Sequence, residues 1–600
     1  MAPESKRAAK KFTRATWMAG FLLSGFMLLA TSAVAADASG RQVDANLRAA
    51  DDAQTVQFAL TLGLRNQDQL KQELKDMYDR SSPHYHHFLS AADFIAKYAP
   101  SKDNYAALEN YAARHGLKVV GEHASRTMVK VEGNAATIRD LFKSNMYWRQ
   151  NEQGKQYLAS DVEPTVPSEL SSLGGGVTGL NQKPFRSFAQ PAQPVAGKPA
   201  DSTSGSGYNG SWLPNDIRTA YDVIGIENGG QPVALVEFSS ANYSDAAVYA
   251  TAFGLNNPVL TQIPIDGGTT DTNDAVEVML DIEMLMAVSD PKSIYVYTAP
   301  NTFTASLDLF TQIAEDDLVG QVSMSWGLCE AQRGQTAANE ENTIFTQMAA
   351  EGIAVFAASG DDGAYDCGNS YTSANVNDPA AQPYVTGVGG TSLIATSVQT
   401  YLSETVWVEP PNPAGLLQGG GSGGGQSTFW PLPSYQAGVT PQVNPTYGYI
   451  QFSEVWRNVP DVALMADPTP GFYIYCSACG YQGGPGWGQW GGTSAATPLW
   501  AGLWSLINQG LTINNGTPTR AGFANPTLYA IGENASEYAQ AFHDVTVGNN
   551  NYMYATPGFD DATGWGSYNG AALYEQIVGP SNKKRISITP VLNFLMKPGT

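Results

Sequence analysis

Between residues 208 and 580 four short apolar runs recur with helical stretches between them: Pro232 to Phe238, Ser293 to Tyr297, Val322 to Trp326 and Ile353 to Ala358. Their near-continuous apolar character demands cover on both faces, which is the condition of a buried parallel strand. Parallel neighbours cannot be joined by a tight turn and need a crossover, which the intervening helices supply. The expected fold class is α/β, a doubly wound parallel sheet with its site at the carboxyl ends of the strands.

The residues before this region have a different rhythm. Gln54 to Leu64 alternates as a strand does, Gln67 to Tyr78 has helical spacing, and Ser101 to His115 reads as a helix capped by Ser101 and stopped by Gly116. Leu117 to Val120 and Thr127 to Val131 read as strands, followed by a helix at Ala135 to Lys143. This order implies a smaller α+β unit, an antiparallel sheet with helices on one face. Six hundred residues, 43% of them hydrophobic, are enough for two separate cores.

Residues 1 to 35 read as a secretory signal. Lys6, Arg7, Lys10, Lys11 and Arg14 form a basic leader, Trp17 to Ala30 is apolar, and Ala33-Val34-Ala35 is a small-residue cleavage site. The apolar span is short for a membrane anchor. An exported protein, extracellular or periplasmic and free of the membrane once the leader is removed, is expected. Losing that leader takes the formal charge from −22 to about −26, a surface that repels nucleic acid. Four cysteines in such a chain imply disulfides, 329 with 367 and 476 with 479, since one C-x-x-C without a second ligand pair is a poor zinc signal.

The stretch Gly491-Gly492-Thr493-Ser494-Ala495-Ala496-Thr497-Pro498 runs into helical sequence, so Ser494 stands where the helix dipole and free N–H groups can face an oxyanion. Gly389-Gly390-Thr391-Ser392 repeats its first four residues but runs into strand-like sequence. A serine nucleophile needs a base, and this region holds a single histidine, His543. Carboxylates are the alternative. Glu277 and Asp281 stand one turn apart on the nearly all-apolar helix Asn273 to Val288. Asp274-x-x-Glu277 also fits a capping box, but Asp281 lies too deep to cap and must find a partner if buried. Glu283 points elsewhere and reads as a solvated acid. Glu237 closes one apolar run and Asp361 follows another, positions that also suit a plain loop acid.

Taken together, Glu277-x-x-x-Asp281, Ser359-Gly360-Asp361 and Gly492-Thr493-Ser494-Ala495-x-x-Pro498 resemble the sedolisin family of serine-carboxyl peptidases. Val388-Gly389-Gly390-Thr391, Arg457-x-x-Pro460-Asp461 and Ser82-Pro83-x-Tyr85-x-x-Phe88-Leu89-Ser90 extend the resemblance, the last into the family's propeptide. It implies a subtilisin-like fold and a Ser494, Glu277, Asp281 triad, with Asp361 at the oxyanion and with Glu237 and Trp326 networked to the triad and lining the substrate cleft. The implied organisation is signal 1–35, activation propeptide 36–185, linker 186–207 with the processing site, peptidase domain 208–580 and a basic tail 581–600. The linker is expected to be exposed and easily cut.

The resemblance also implies one structural calcium ion, held by the carboxylates of Asp544 and Asp560 and the carbonyls of Val545, Thr556 and Gly558. Taken alone, those residues read as a plain loop. The implied partners are protein or peptide substrates and the chain's own propeptide, acting in a monomer at acidic pH. A pseudo-enzyme would need a missing catalytic group, and a hydrolase based on His543 would need that residue outside the calcium loop. Five further histidines, His84, His86, His87, His115 and His123, lie in the propeptide, where protonation is expected to loosen docking.

Overall fold

The computed structural model describes residues 47–192, 204–226, 229–368, 374–409, 420–444, 448–479 and 486–579, with backbone alone at 35–36 and 42–43. The leader, residues 193–203 of the linker and the basic tail lie outside the described residues. Ala35–Ala36 pairs antiparallel with Gln42–Val43 in a unit of its own, and residues from Arg48 onward form one compact unit. Among the described residues no helix is long and apolar enough to cross a membrane.

The large sheet contains β1 (Val233–Glu237), β2 (Val259–Pro264), β3 (Ser293–Thr298), β4 (Gln321–Met324), β5 (Ala354–Ala358), β6 (Thr386–Ala395), β7 (Tyr401–Val406) and β8 (Val462–Met465). Its order is β2-β3-β1-β4-β5-β6-β7, with β8 also paired to β6. Every pair is parallel except β6 with β7. This is the doubly wound arrangement, with its switch point between β1 and β4. The four apolar runs are β1, β3, β4 and β5. The edge strand β2 is largely exposed and so carries no apolar run.

One run divides. The strand stops at Met324, and the chain turns at Ser325 into a second strand, Trp326–Cys329, which pairs away from the main sheet. Two buried helices lie against one another, α1 (Ala275–Ser289) and α2 (Thr493–Asn515). A Cβ at Gly502 of α2 would come 2.2 Å from Val288 Cγ1, so glycine sets their close approach. Arg457 and Asp461, both fully buried, form an ion pair at 2.6 Å that also receives the Gly387 N–H. Both expected disulfides form, with Cα separations of 5.0 Å and 5.3 Å.

The N-terminal region has an antiparallel sheet ordered Lys118–Glu122, Met128–Asn134, Thr55–Leu62, Gly175–Thr178. Helices Lys102–Arg114, capped by the Ser101 side chain, and Ala135–Phe142 bury Leu108, Tyr111, Ile138 and Phe142 on it. Two further helices, Gln67–Tyr78 and Ala91–Tyr98, do not join that core. They pack with Ala349, Ala350 and Phe523 of the larger domain. The linker also departs from expectation: Arg186–Ser187 and Gln190–Pro191 are strands paired inside the larger domain, not an exposed tether. Its backbone finds there the ladder partners that water would otherwise supply.

Candidate active site

Three elements converge at the switch point. Glu237 ends β1, Glu277 and Asp281 stand on α1, and Ser494 is the second residue of α2, all fully buried. Trp326 Nε1–H donates to Glu237 Oε2 at 3.0 Å, and the Ser325 hydroxyl donates to Asp281 Oδ1 at 2.6 Å. The Ser494 hydroxyl donates to the Ser325 carbonyl at 3.4 Å and also acts on Glu277, opposing the rise in its pKa. The capping box does not form. Asp274 makes no side-chain cap and accepts instead from the Ser187 hydroxyl at 2.9 Å, while Glu277 Oε2 accepts the N–H groups of Phe188 and Ala189, both at 2.7 Å.

Burial pushes all three acids well above the carboxylate range. Asp281 adds to the rise of Glu277, Glu237 to that of Asp281, and Glu277 to that of Glu237, where the Trp326 N–H opposes it. Among the described residues, Glu237 Oε1, Glu277 Oε1 and Asp281 Oδ2 have no partner meeting hydrogen-bond geometry. Neighbouring carboxyl groups in a dry site cannot all ionise, so protons must be shared along the chain.

Asp361 follows β5 and meets the start of α2. Its Oδ1 accepts the Thr493 N–H at 2.8 Å and the Thr493 hydroxyl at 2.7 Å, while Oδ2 has no partner among the described residues. Burial pushes this carboxyl up to about 7, against the opposing pull of Thr493 and Arg186. Below that pH it is a neutral acid and can donate. His543 stacks on Tyr401 at 3.6 Å between ring centroids, and burial pushes it down to about 4. None of these contacts reaches Ser494.

Glu283 corrects an expectation. It does point away from the cluster, but it is fully buried rather than solvated, and its Oε2 accepts the Tyr475 N–H at 2.8 Å. The reason is that α1 is covered on every side, with only Val276 outside its buried set. Two residues in the cluster had no assigned role in the sequence, Ser325 and Thr493. Each neighbours a residue that was singled out, and that adjacency was the only signal.

Residues 45–182 match the Pro-kumamolisin activation domain, and residues 293–566 match the Subtilase family. The chain is 32% identical over 517 residues to kumamolisin from Bacillus sp. (strain MN-32), covering 83% of this chain and 87% of that protein. It is 27% identical to sedolisin from Pseudomonas sp. (strain 101), covering 87% and 86%.

The chain belongs to the sedolisin family. A solved structure of Pseudomonas sedolisin, a serine-carboxyl proteinase with two molecules of pseudo-iodotyrostatin, superposes with a TM-score of 0.52 at 26% identity, covering 62% of this chain and 99% of that one. This sedolisin-family chain is a serine-type peptidase preceded by an activation domain.

The loop where a sedolisin-family calcium ion was expected brings Asp544 and Asp560 to one turn. Both oxygens of Asp544 accept the Gly558 N–H at 3.1 Å, and Asp560 Oδ2 accepts the Thr556 N–H at 2.9 Å. No backbone hydrogen bond from a described residue reaches the carbonyls of Val545, Thr556 or Gly558. Among the described residues no three His, Cys, Asp or Glu side chains are grouped so as to hold a metal ion, so a cation at this loop would have two carboxylates and depend on carbonyls for the rest. Such a set of hard oxygens fits calcium.

Proposed function

We propose that the chain is the zymogen of a secreted endopeptidase that hydrolyses protein substrates in acid through Ser494, Glu277 and Asp281. One observation carries this reading: a serine at a helix start acts on Glu277, the first of three interacting buried carboxyl groups, while the histidine of this domain stacks on Tyr401 instead. Ser494 Oγ attacks the scissile carbonyl and Glu277 takes its proton, later returning it to the leaving nitrogen. Asp281 shares a proton with its neighbours and holds Glu277 in place. Glu237, bonded to Trp326, extends that chain, and the Trp326 backbone pairs with Ser187 of the linker. Asp361 in its neutral form donates to the oxyanion. Acid is the working condition because Asp361 must keep its proton and the carboxyl chain must hold shared ones.

The leader and the two disulfides support export, and the activation domain at 45–182 supports a zymogen whose processing bond lies in the linker 186–207. One calcium ion at Asp544, Val545, Thr556, Gly558 and Asp560 would neutralise buried acid and tie two loops together.

Peptide hydrolysis against pH, for the wild type, Ser494→Ala and His543→Gln, tests the chemistry. The wild type and the histidine variant should peak in acid, and Ser494→Ala should lose about 10⁴-fold or more in kcat. A neutral optimum, or activity in Ser494→Ala, would sink the reading. For the ion, EDTA should lower the melting temperature of the Ser494→Ala chain and added calcium should restore it. A melting curve indifferent to both would remove calcium from the account.

A further inference from the structure

Two short strands of the linker pair with segments that adjoin the site, one with the strand after Ser325 and one with the strand that leads into α2. Ser187 pairs antiparallel with Trp326 and Arg186 with Gly327, while Gln190 pairs with Gly491 and Pro191 with Trp490. Between them lie Phe188 and Ala189, whose N–H groups both donate to Glu277 Oε2. The Phe188 carbonyl points the other way. A Cβ at Gly492 would stand 1.9 Å from that carbonyl oxygen and 2.7 Å from Asp361 Oδ2, so both oxygens crowd one point at the start of α2. The peptide between Phe188 and Ala189 therefore has its oxygen beside the acid assigned to the oxyanion. Its nitrogen lies beside the acid assigned to the leaving group.

The flanking side chains hold this register. Arg186 pairs with Asp362 and lies 3.6 Å from Asp366, and the Ser187 hydroxyl bonds Asp274. The Phe188 ring is 1% exposed, beneath the Arg186 guanidinium at 5.0 Å. It rests against Gly327, where a Cβ would come within 2.7 Å of the ring. The absence of a side chain there is what makes room for an aromatic group.

We propose that Phe188–Ala189 is the bond the zymogen cleaves in itself, and that the pocket at Gly327 selects substrates with a large apolar side chain on the acyl side of the bond. This rests on the peptidase reading above. Ser494 Oγ bonds to the Phe188 carbonyl carbon and its proton passes to Glu277. The Phe188–Ala189 C–N bond then breaks, Glu277 returns the proton to the Ala189 nitrogen, and Phe188 remains as an ester on Ser494. Water adds to that ester through Glu277, leaving a Phe188 carboxyl terminus and a free serine.

The test is to acidify the intact full chain and sequence the first new N-terminus by time course, beside Ser494→Ala. The expected result is Ala189, with Ser494→Ala uncut. A first cut elsewhere with Ser494→Ala still uncut overturns the assigned bond and leaves the peptidase reading standing. Cleavage of Ser494→Ala by itself overturns both. Independently of processing, the mature enzyme should split a synthetic peptide of residues 183–192 between Phe and Ala. The same peptide with Phe188→Asp should react about 10²-fold more slowly in kcat/KM. Equal rates, or a cut at another bond, would defeat the pocket assignment.

Discussion

Thr493 gives both its N–H and its hydroxyl to Asp361 Oδ1 and leaves Oδ2 to the cleft, where burial keeps a proton on it up to about 7. The sign follows directly. The acid donates below that value and loses the ability as pH rises through it, so kcat should fall on the alkaline side. Asp361→Ala should cut kcat by about 10²–10³ with KM little changed, the cost of one oxyanion donor. Unchanged kcat at acid pH would remove Asp361 from the oxyanion. At this scale the acids were legible because a carboxylate inside an apolar run or helix demands an explanation. Ser325 and Thr493 were not, since hydroxyl residues are common and cheap to place anywhere. Only the turn after β4 and the start of α2 aim these two at Asp281 and Asp361.

Helices α1 and α2 carry Glu277 and Ser494, so the distance between two helix axes decides whether base and nucleophile meet. Gly502 sets it against Val288. Gly502→Val should overpack this contact and cost about 1–3 kcal/mol in stability. It should also depress kcat at temperatures where the protein remains folded, because α1 carries Glu277 away with it. Full activity alongside the stability loss would show that the helices adjust independently of the site. The sequence signalled both helices through their apolar character, and α1 proved apolar on every face because α2 and neighbouring elements cover it. That all-round burial is also why Glu283 is not solvated.

The whole molecule is a peptidase with its activation domain packed against it, and two of the contacts between them yield to acid over different pH ranges. The propeptide hook at His86 stacks that ring on Tyr85 and Phe88. Phe88 presses on Gly352 and Gly522, and the Leu89 N–H bonds the Ala350 carbonyl. Burial, then Arg80, pushes His86 from 6.5 down to about 4. The neutral ring's contribution to docking is present above about 6.5 and is lost as pH falls toward 4. His86→Gln cannot charge, so its processing midpoint should move to lower pH. An unchanged midpoint would clear this histidine. His123 sits 2.7 Å from Asp308, beside Lys130. Burial would raise Asp308, but His123 and Lys130 outweigh it and hold the carboxyl below 3.8, so this latch yields only in stronger acid. The sequence by itself determined the fold class and the chemical inventory of acids and serine. Those follow from local periodicity and from the cost of burying charge. Tertiary structure alone decided which hydroxyls orient the acids and which peptide bond they face. Glu277 meets Phe188 across 89 residues and Asp361 meets Thr493 across 132, separations over which no local pattern carries register.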